Sequence, residues 1–353
     1  SGGNYNVVVG DEAGTAISTG DNNVAVGYNA LASEDTGSAN TAIGRYALSA
    51  LNNDAISYNT AVGFSAGAAV TTGVRNTLIG GIAGDALTDA DDNVVLGYQA
   101  LSNDTLGSRT IAIGKGALTT QNFTSATDTY NTAMGYNAGN QVTTGVQNTF
   151  VGGLAGDATD DGAYNTAVGQ GALSANCADK NTSVGAASLA VCTGAGNTVV
   201  GYAAGFGVTS GSNNLFIGED SGRTGSPGGN ITTGSNAIVL GDENIGDAHI
   251  QVDWTVASDA RDKTDFTALD LGLDFVNALA PVTYKWDKRS KYGDKSAEGY
   301  DLNAQTPDGT HKEDWLDIGF KAQEVEALEI AAGYDKSNST NLVSSHTGDG
   351  KQM

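Results

Sequence analysis

A short phrase recurs through most of the chain, and this repeat constrains the fold more than any other feature. Asparagine, a three-residue run ending in an aliphatic residue, and glycine return as NVAVG at 23–27, NTAIG at 40–44 and NTAMG at 131–135. Fourteen copies end at glycines between Gly10 and Gly241, mostly 16 or 17 residues apart. A repeat of this kind is typical of a solenoid in which each copy forms one coil.

Each copy carries the pattern of a short β-strand. The residue before the glycine is aliphatic in all 14 copies, and the residue two positions earlier is Thr, Val, Ile or Leu, as at Thr41 and Leu215. β-branched runs ended by glycine indicate strands, in which residues i and i+2 point the same way. We therefore expect these two columns to face a core.

The residue between those two columns is uncharged in every copy, as at Ala42 and Phe216. A strand without charge on either face is covered on both faces. The repeats offer no helices for this purpose, so we expect identical chains to cover the strands, in a trimer as in fibres of this kind.

Asparagine opens 12 of the 14 copies. Stacked amides can hydrogen-bond from coil to coil, and asparagine tolerates the left-handed backbone of a corner.

Four residues after the glycine, pairs of Gly alternate with pairs of Leu, so the full unit is four copies; the sequence offers no physical reason for this alternation. Length varies at 49–58, 119–130 and 223–235. We expect these insertions to form outward loops suited to recognition.

Composition changes near residue 257. Residues 1–257 hold 42 of the 50 glycines, whereas residues 258–353 hold 11 of the 17 basic residues. The sequence therefore predicts a mainly β protein with three parts: a trimeric β-solenoid of glycine-rich repeats over 1–246, a connector over 247–257, and a small α+β domain over 258–353.

The net charge of −23 lies mostly in residues 1–257, where 22 acidic residues face 6 basic ones. Nucleic acid binding needs clustered basic residues, so we expect no nucleic acid partner. The chain has no apolar run of 18 residues and no leader at Ser1, so we expect no membrane insertion. It opens inside a repeat and stops in mid-phrase, and we expect it to continue in both directions.

Cys177 and Cys192 lie about one repeat apart. They could form a disulfide between neighbouring coils or remain two small buried thiols, and both alternatives stay open.

No metal or cofactor site is predicted. The acidic pairs Asp91/Asp92 and Asp160/Asp161 match no calcium loop with defined ligand positions, and solvated loop charge explains them better. The histidines are far apart without metal-ligand spacing, and they are His249, His311 and His346.

Three phrases in the last part carry a family resemblance: SDARDK at 258–263, LGLDFVNALAPVTYKW at 271–286 and IGFKAQEVEAL at 318–328. Together they resemble the intramolecular chaperone domain of phage endosialidases and tail fibres. The resemblance implies a domain that follows a trimeric β-structured fibre, assists its trimerisation and then cuts itself off. Within it, AQEVEAL predicts a helix and PVTYKWD predicts a strand after a turn at Pro281.

By this resemblance the cut falls between Ala257 and Ser258. It implies that Ser258 is the nucleophile, that Lys263 takes its proton, and that Asp259 and Arg261 shape the site. A lysine serves as a base only when burial lowers its pKa, which closure of a trimer could supply. The enzyme activity implied is at most a single-turnover cleavage of the chain by itself.

The chain departs from the family at two places. Asp262 stands where an aliphatic residue is usual, and with Asp259 and Asp265 it could hold Lys263 charged. The family also continues into a C-terminal helical bundle, which we expect beyond Met353. Taken alone, SDARDK is better explained as a helix cap, with Ser258 or Asp259 capping a short acidic first turn.

The favoured function is a structural virion protein: a trimeric tail fibre or spike segment for host attachment, located in the virion tail and assembled in the host cytoplasm. The expected partners are copies of the chain, a host cell-surface glycan or protein, and other virion tail proteins. One alternative is the head of a bacterial trimeric surface adhesin, whose repeats look similar. Another is an ice-binding solenoid, because threonine recurs at positions such as Thr41, Thr60 and Thr77.

Overall fold

The structure is a computed structural model, and it describes residues 3–245, 273–287, 289–293 and 304–333. The chain divides into two compact units, Ser1–Asp242 and Glu243–Met353. The expected connector over 247–257 lies outside the described residues, so its bounds stay a prediction.

The first unit is the predicted solenoid. Each copy of the repeat forms one coil and contributes one three-residue strand, which pairs in parallel with the same three positions of the next copy. The 14 strands are β1 (Val7–Val9), β2 (Val24–Val26), β3 (Thr41–Ile43), β4 (Thr60–Val62), β5 (Thr77–Ile79), β6 (Val94–Leu96), β8 (Ile111–Ile113), β10 (Thr132–Met134), β11 (Thr149–Val151), β12 (Thr166–Val168), β13 (Thr182–Val184), β14 (Thr198–Val200), β15 (Leu215–Ile217) and β16 (Ile238–Leu240). A second parallel pair, β7 (Gly107–Ser108) and β9 (Thr127–Asp128), ties the 119–130 insertion to the coil before it.

The middle residue of each strand points into the coil. It is fully buried at positions such as Ala25, Ala112 and Phe150, and only β1, at the end of the stack, leaves it exposed. The two flanking residues point out of the coil: Ile43 is 39% exposed and Leu96 is 47% exposed. The expectation that the flanking columns face the core of their own chain was therefore wrong. A three-residue strand that is apolar on both faces carries no signal for which face is inside.

The asparagines that open the copies form the predicted ladder between coils, and all of them except Asn6, in the first coil, are buried. Asn148 is typical: its Oδ1 accepts the Asn165 backbone N–H at 2.8 Å, and its Nδ2 donates to the Gly162 carbonyl at 2.8 Å. Its own backbone N–H donates to Asn131 Oδ1 at 2.9 Å. Each amide thus satisfies backbone groups that the narrow interior hides from water.

We expected the asparagine to adopt the left-handed backbone conformation at this corner. The residue before it adopts that conformation instead. Arg75 has a φ of 58° and Tyr130 a φ of 51°. The repeat glycines have a larger positive φ, 140° at Gly97, where a Cβ would lie 2.6 Å from the carbonyl carbon of Gly114. Glycine therefore recurs at this position because a side chain would collide with the next coil.

The ladder is interrupted where threonine replaces asparagine, and a buried polar network takes its place. Gln121 Nε2 donates to Asp104 Oδ2 at 2.6 Å and to Thr110 Oγ1 at 3.2 Å, while Gln121 Oε1 accepts from Asn131 Nδ2 at 2.8 Å. The hydroxyls of Thr110 and Thr129 lie 2.7 Å apart. All five residues are buried. This coil therefore keeps its polar groups paired without the usual amide.

Packing explains why pairs of Gly alternate with pairs of Leu. Phe150, at the middle of β11, fills the space beside two glycines, and a Cβ at Gly139 would lie 2.9 Å from its ring and 2.8 Å from Leu118. Gly156 also faces the Phe150 ring. A large strand residue thus occupies the volume that two leucines would need. The same arrangement recurs at Leu48, Gly67, Leu78 and Gly84, and at Leu189, Gly205, Phe216 and Gly222.

The second unit contains two helices and a small antiparallel sheet among its described residues. The elements are α1 (Leu273–Ala278), β17 (Val282–Tyr284), a single 3₁₀ turn (Arg289–Lys291), β18 (Asp317–Gly319) and α2 (Ala322–Ala331). Strands β17 and β18 pair with Thr283 opposite Ile318. The predicted strand after Pro281 and the predicted AQEVEAL helix are both confirmed.

The complementary volumes of the corner residue and the strand residue predict that a second substitution can restore stability lost by a first one. Phe150→Ala should lower the free energy of unfolding by about 3–5 kcal/mol, because it empties the space beside two glycines. Adding Gly156→Leu should recover part of this loss, since it recreates the Ala167 and Leu173 combination of the next coil. Denaturant unfolding of the wild type and both variants measures the effect. A double variant less stable than Phe150→Ala would contradict the complementarity.

The asparagine ladder predicts a cost for removing one amide. Asn148→Ala leaves two buried backbone groups without partners and should lower the free energy of unfolding by about 2–4 kcal/mol. Asn52→Ala, on an exposed asparagine outside the ladder, is the matched control and should change it by less than about 0.5 kcal/mol. Equal losses in the two variants in thermal unfolding would refute the role of the ladder.

Candidate functional site

The residues of the predicted cleavage site lie outside the described residues. They are Ala257, Ser258, Asp259, Arg261 and Lys263. Their roles therefore stay predictions that rest on the family resemblance, and the alternative of a helix cap at the same phrase is also untested.

The described part of the second unit exposes an unusual share of apolar side chains. Ile318 is 81% exposed in the middle of β18, and Trp315 is 60% exposed beside it. Trp286 packs edge-on against Tyr284, with 5.4 Å between ring centroids, yet is still 46% exposed. Val325 of α2 is the one apolar residue buried among the described residues of this unit. Exposed apolar surface of this kind is typical of interaction sites.

A polar cluster orders the segment between the two strands of this unit. Asp287 Oδ1 accepts the Tyr292 hydroxyl at 2.7 Å, and Asp287 Oδ2 accepts the Gly309 N–H at 2.8 Å. The Tyr292 hydroxyl also accepts the His311 N–H at 3.2 Å, and the two rings stack edge-on. His311 is therefore part of a hydrogen-bonded cluster with a structural role.

The outward face of the 14-stranded sheet forms the largest candidate surface in the solenoid. We call it the strand face: the first and third residues of each of the 14 strands. The strand face contains no charged residue in any coil, and 13 of its 20 bulky apolar members are 36% to 64% exposed. These are Val7, Val9, Ile43, Ile79, Val94, Leu96, Ile111, Met134, Val168, Val200, Ile217, Ile238 and Leu240. An uncharged and largely apolar stripe of this length is typical of interaction surfaces.

The prediction that the insertions form outward loops is only partly confirmed. In the 119–130 insertion, Thr124, Ser125 and Ala126 are exposed, but Phe123 is 7% exposed and packs inward. In the 223–235 insertion most residues are exposed, while Ser226 is buried and its hydroxyl donates to the Arg223 carbonyl at 2.8 Å. The insertions therefore combine a buried anchor with an exposed tip.

The two cysteines are free and buried, so the buried-thiol alternative is confirmed. The Cys177 sulfur lies 3.2 Å from the Thr159 hydroxyl, and the Cys192 sulfur accepts from Asn197 Nδ2 at 3.5 Å. Burial raises the pKa of Cys177 to about 11 and also raises that of Cys192. Both thiols are therefore protonated and unreactive at neutral pH.

The acidic pairs make contacts between coils. Asp92 Oδ1 lies 2.5 Å from Arg75 Nε, and this guanidinium holds the pKa of Asp92 below its usual range. Asp91 Oδ1 accepts the Val74 N–H at 2.8 Å, and Asp160 Oδ1 accepts the Thr143 hydroxyl at 2.5 Å. Across the described ranges, no group of three or more His, Cys, Asp or Glu side chains is placed to hold a metal ion.

Sequence reasoning missed a buried carboxylate. Glu34 is fully buried, its Oε1 accepts the Gly37 N–H at 2.7 Å, and its Oε2 accepts the Asn53 N–H at 3.2 Å. Burial raises the pKa of Glu34, and these backbone hydrogen bonds oppose that shift. Asp104 holds the same place four coils later, where it accepts the Gly107 N–H at 3.1 Å. An acid three residues after a corner leucine was the available signal.

Sequence reasoning also missed the residues that directly follow the repeat glycines. In the structure this column lies beside the strand face and exposes Phe64, Tyr98 and Tyr136, among others. The signal was present in the sequence, because aromatic and basic residues alternate there, but successive members are about 17 residues apart.

No helix in the described part of the chain has both the length and the apolar character needed to cross a membrane. No curated protein matches the chain. Residues 258–334 match the family described as Chaperone of endosialidase. The match begins at Ser258 and covers the three phrases on which the resemblance rests. It does not extend into the solenoid. Residues 258–334 of the second unit are therefore similar to the endosialidase chaperone family, and in the sequence they follow a β-solenoid.

Proposed function

We propose that the chain is a segment of a homotrimeric viral tail fibre or spike that serves host attachment. In this proposal the solenoids of three chains associate through their strand faces. The domain beginning at Ser258 assists that association and then separates from the fibre by cleaving the chain after Ala257. The fibre is part of the virion tail, and its remaining partners are other tail proteins and a receptor on the host cell.

The strand face is the observation that carries this proposal. A lone solenoid would leave apolar side chains at least partly exposed in every coil, and Met134 and Leu96 are more than 40% exposed. Each bulky apolar side chain gains about 1.5–3 kcal/mol from full burial, so repetition along the stack gives a large drive for association. Three copies arranged around one axis cover one such stripe per chain without leaving a sheet face open.

The family match supports the assembly role of the second unit. Its described residues expose Ile318, Trp315 and Leu316, and apolar side chains of this kind gain stability when association buries them. An assembly domain that acts only in the oligomer fits this surface.

The cleavage chemistry proposed needs only groups of this chain and water. Ser258 Oγ attacks the carbonyl carbon of Ala257, and Lys263 accepts the hydroxyl proton and passes it to the departing amine of Ser258. The resulting ester between Ala257 and the Ser258 oxygen is then hydrolysed by water, which leaves the Ala257 carboxylate and a free serine. Lys263 is neutral only where burial lowers its pKa, so closure of the trimer would switch the reaction on.

The surface adhesin alternative shares the trimeric solenoid but does not account for the endosialidase chaperone family match. The ice-binding alternative gains one observation, since Thr41, Thr60 and Thr77 do point out of the coil. It requires the strand face to remain open to water. The oligomeric state therefore separates it from the favoured function.

Association through the strand face predicts a trimer that one charge disrupts. By light scattering, the full-length protein should have three times the mass of its denatured chain. Met134→Glu should give folded monomers, because it places carboxylates in an apolar contact. Ser125→Glu, on an exposed insertion, is the control and should remain trimeric. A folded monomeric wild type, or a trimeric Met134→Glu variant, would contradict the proposed assembly and favour an open strand face.

Self-cleavage predicts a pattern of fragments on a denaturing gel. The wild type should split between Ala257 and Ser258, whereas Ser258→Ala and Lys263→Arg should remain whole, because arginine cannot act as a base. Lys285→Arg is the control and should be cut as in the wild type. The Met134→Glu variant should also remain whole if assembly activates the site. Cleavage of the Ser258→Ala chain at the same bond would exclude the assigned nucleophile.

A further inference from the structure

Over the second to ninth coils, the column that follows the repeat glycines has a pattern four coils long: aromatic, basic, aromatic, glycine. In the second to fifth coils it reads Tyr28, Arg45, Phe64 and Gly81. In the sixth to ninth coils it reads Tyr98, Lys115, Tyr136 and Gly153. The aromatic members are 38%, 51%, 52% and 53% exposed in that order. We call this column the ring column.

The ring column belongs to the water-facing surface rather than to the contact between copies. It includes Asp11, Arg45, Lys115 and Glu219, all exposed, whereas the strand face beside it has no charge in any coil. Burying unpaired charges in an apolar contact is costly, so a surface that mixes charges of both signs stays solvated. The border of the strand face therefore runs between the two columns.

Arg45 and Lys115 differ from the other three arginines of the solenoid. Arg75, Arg109 and Arg223 each form an ion pair with an aspartate. In the described part of the chain no ion pair involves Arg45 or Lys115, although acidic residues outnumber basic ones by 22 to 6 over residues 1–257. Their charges are thus available to an anion from outside.

Both cations lie among rings instead. The Arg45 guanidinium carbon is 4.6 Å from the Tyr46 ring centroid and 5.7 Å from those of Tyr28 and Phe64. Lys115 Nζ is 5.7 Å from the Tyr136 ring centroid. Contact with ring faces orients a cation without neutralising it. Each set of residues thus presents an aromatic platform on either side of one oriented positive charge.

The spacing of these groups suits a linear polymer. Neighbouring parallel strands lie about 4.8 Å apart, so rings two coils apart are separated by about 10 Å, and the two cations, four coils apart, by about 19 Å. Sugar rings in an extended chain present an apolar face to aromatic side chains at intervals of this size. A carboxylate between two such sugars would meet the cation between two platforms.

We propose that the ring column binds an extended acidic polysaccharide, with uronic-type sugars stacked on the aromatic rings and carboxylates on Arg45 and Lys115. The proposal deepens the attachment role given under the proposed function and rests on it. It uses a surface separate from the strand face, so assembly and glycan binding can fail independently.

The test uses the full-length protein and polymannuronate oligomers, a β-linked uronic acid chain, in titration calorimetry. The matched ligand is the same oligomer with its carboxyl groups methyl-esterified. The wild type should bind the acid form, and esterification should weaken binding at least about tenfold, since it removes the charge-assisted hydrogen bonds. Failure of the wild-type trimer to bind the acid form, or equal binding of the ester, would overturn the proposal.

Variants locate the site. Arg45→Gln with Lys115→Gln, and separately Tyr98→Ala with Tyr136→Ala, should each weaken binding at least about tenfold while the protein stays trimeric. Lys180→Gln, which removes an exposed cation outside the ring column, should change it less than about twofold. Unchanged binding in both double variants would overturn the proposal, as would loss of the trimer in them, which would place the column inside the contact between copies. A wild type that is not trimeric would instead overturn the proposed assembly.

Discussion

The width of a coil is the constraint on which the rest of the solenoid depends. Each coil admits one strand side chain to its interior, an alanine in six of the 14 coils, and the space beside it holds either a corner leucine or part of a larger strand residue. Backbone groups in so narrow an interior have no access to water and must find partners in the next coil, where the buried amides of residues such as Asn148 and Asn165 receive them. A coil is therefore ordered only as a member of a stack, which is the property of repeat proteins generally.

The sequence predicted the features that the repeat fixes position by position. The strand, the asparagine ladder and the glycine after the strand each follow from one residue type that returns in nearly every copy. Which face of the strand points into the coil could not be predicted, because Thr41, Ala42 and Ile43 are all compatible with burial. Only the closure of the coil, with Ala25 inside and its neighbours outside, decides between the faces. The volume match around Phe150 also needed three dimensions, since its partners lie in different coils.

The two candidate sites also differ in whether the sequence alone could reveal them. Ser258 and Lys263 were assigned from contiguous phrases of a known family, which need no structure to be read. The ring column was overlooked because Tyr98, Lys115 and Tyr136 are distant in the chain and become neighbours only when the coils stack. Charge separates the two surfaces that result: the strand face has none, while the ring column has both signs. One repeat thus presents an uncharged surface and a charged one, side by side.

The pairing of two corner glycines with one large strand residue has a consequence for how such a shaft can change in length. Loss of the single coil that holds Leu78 would leave Gly67 beside a void, and duplication of a coil with Leu48 would press leucine against a ring or another leucine. Genetic exchange that preserves packing must therefore add or remove four coils together. The solenoid therefore lengthens or shortens in whole blocks of four coils.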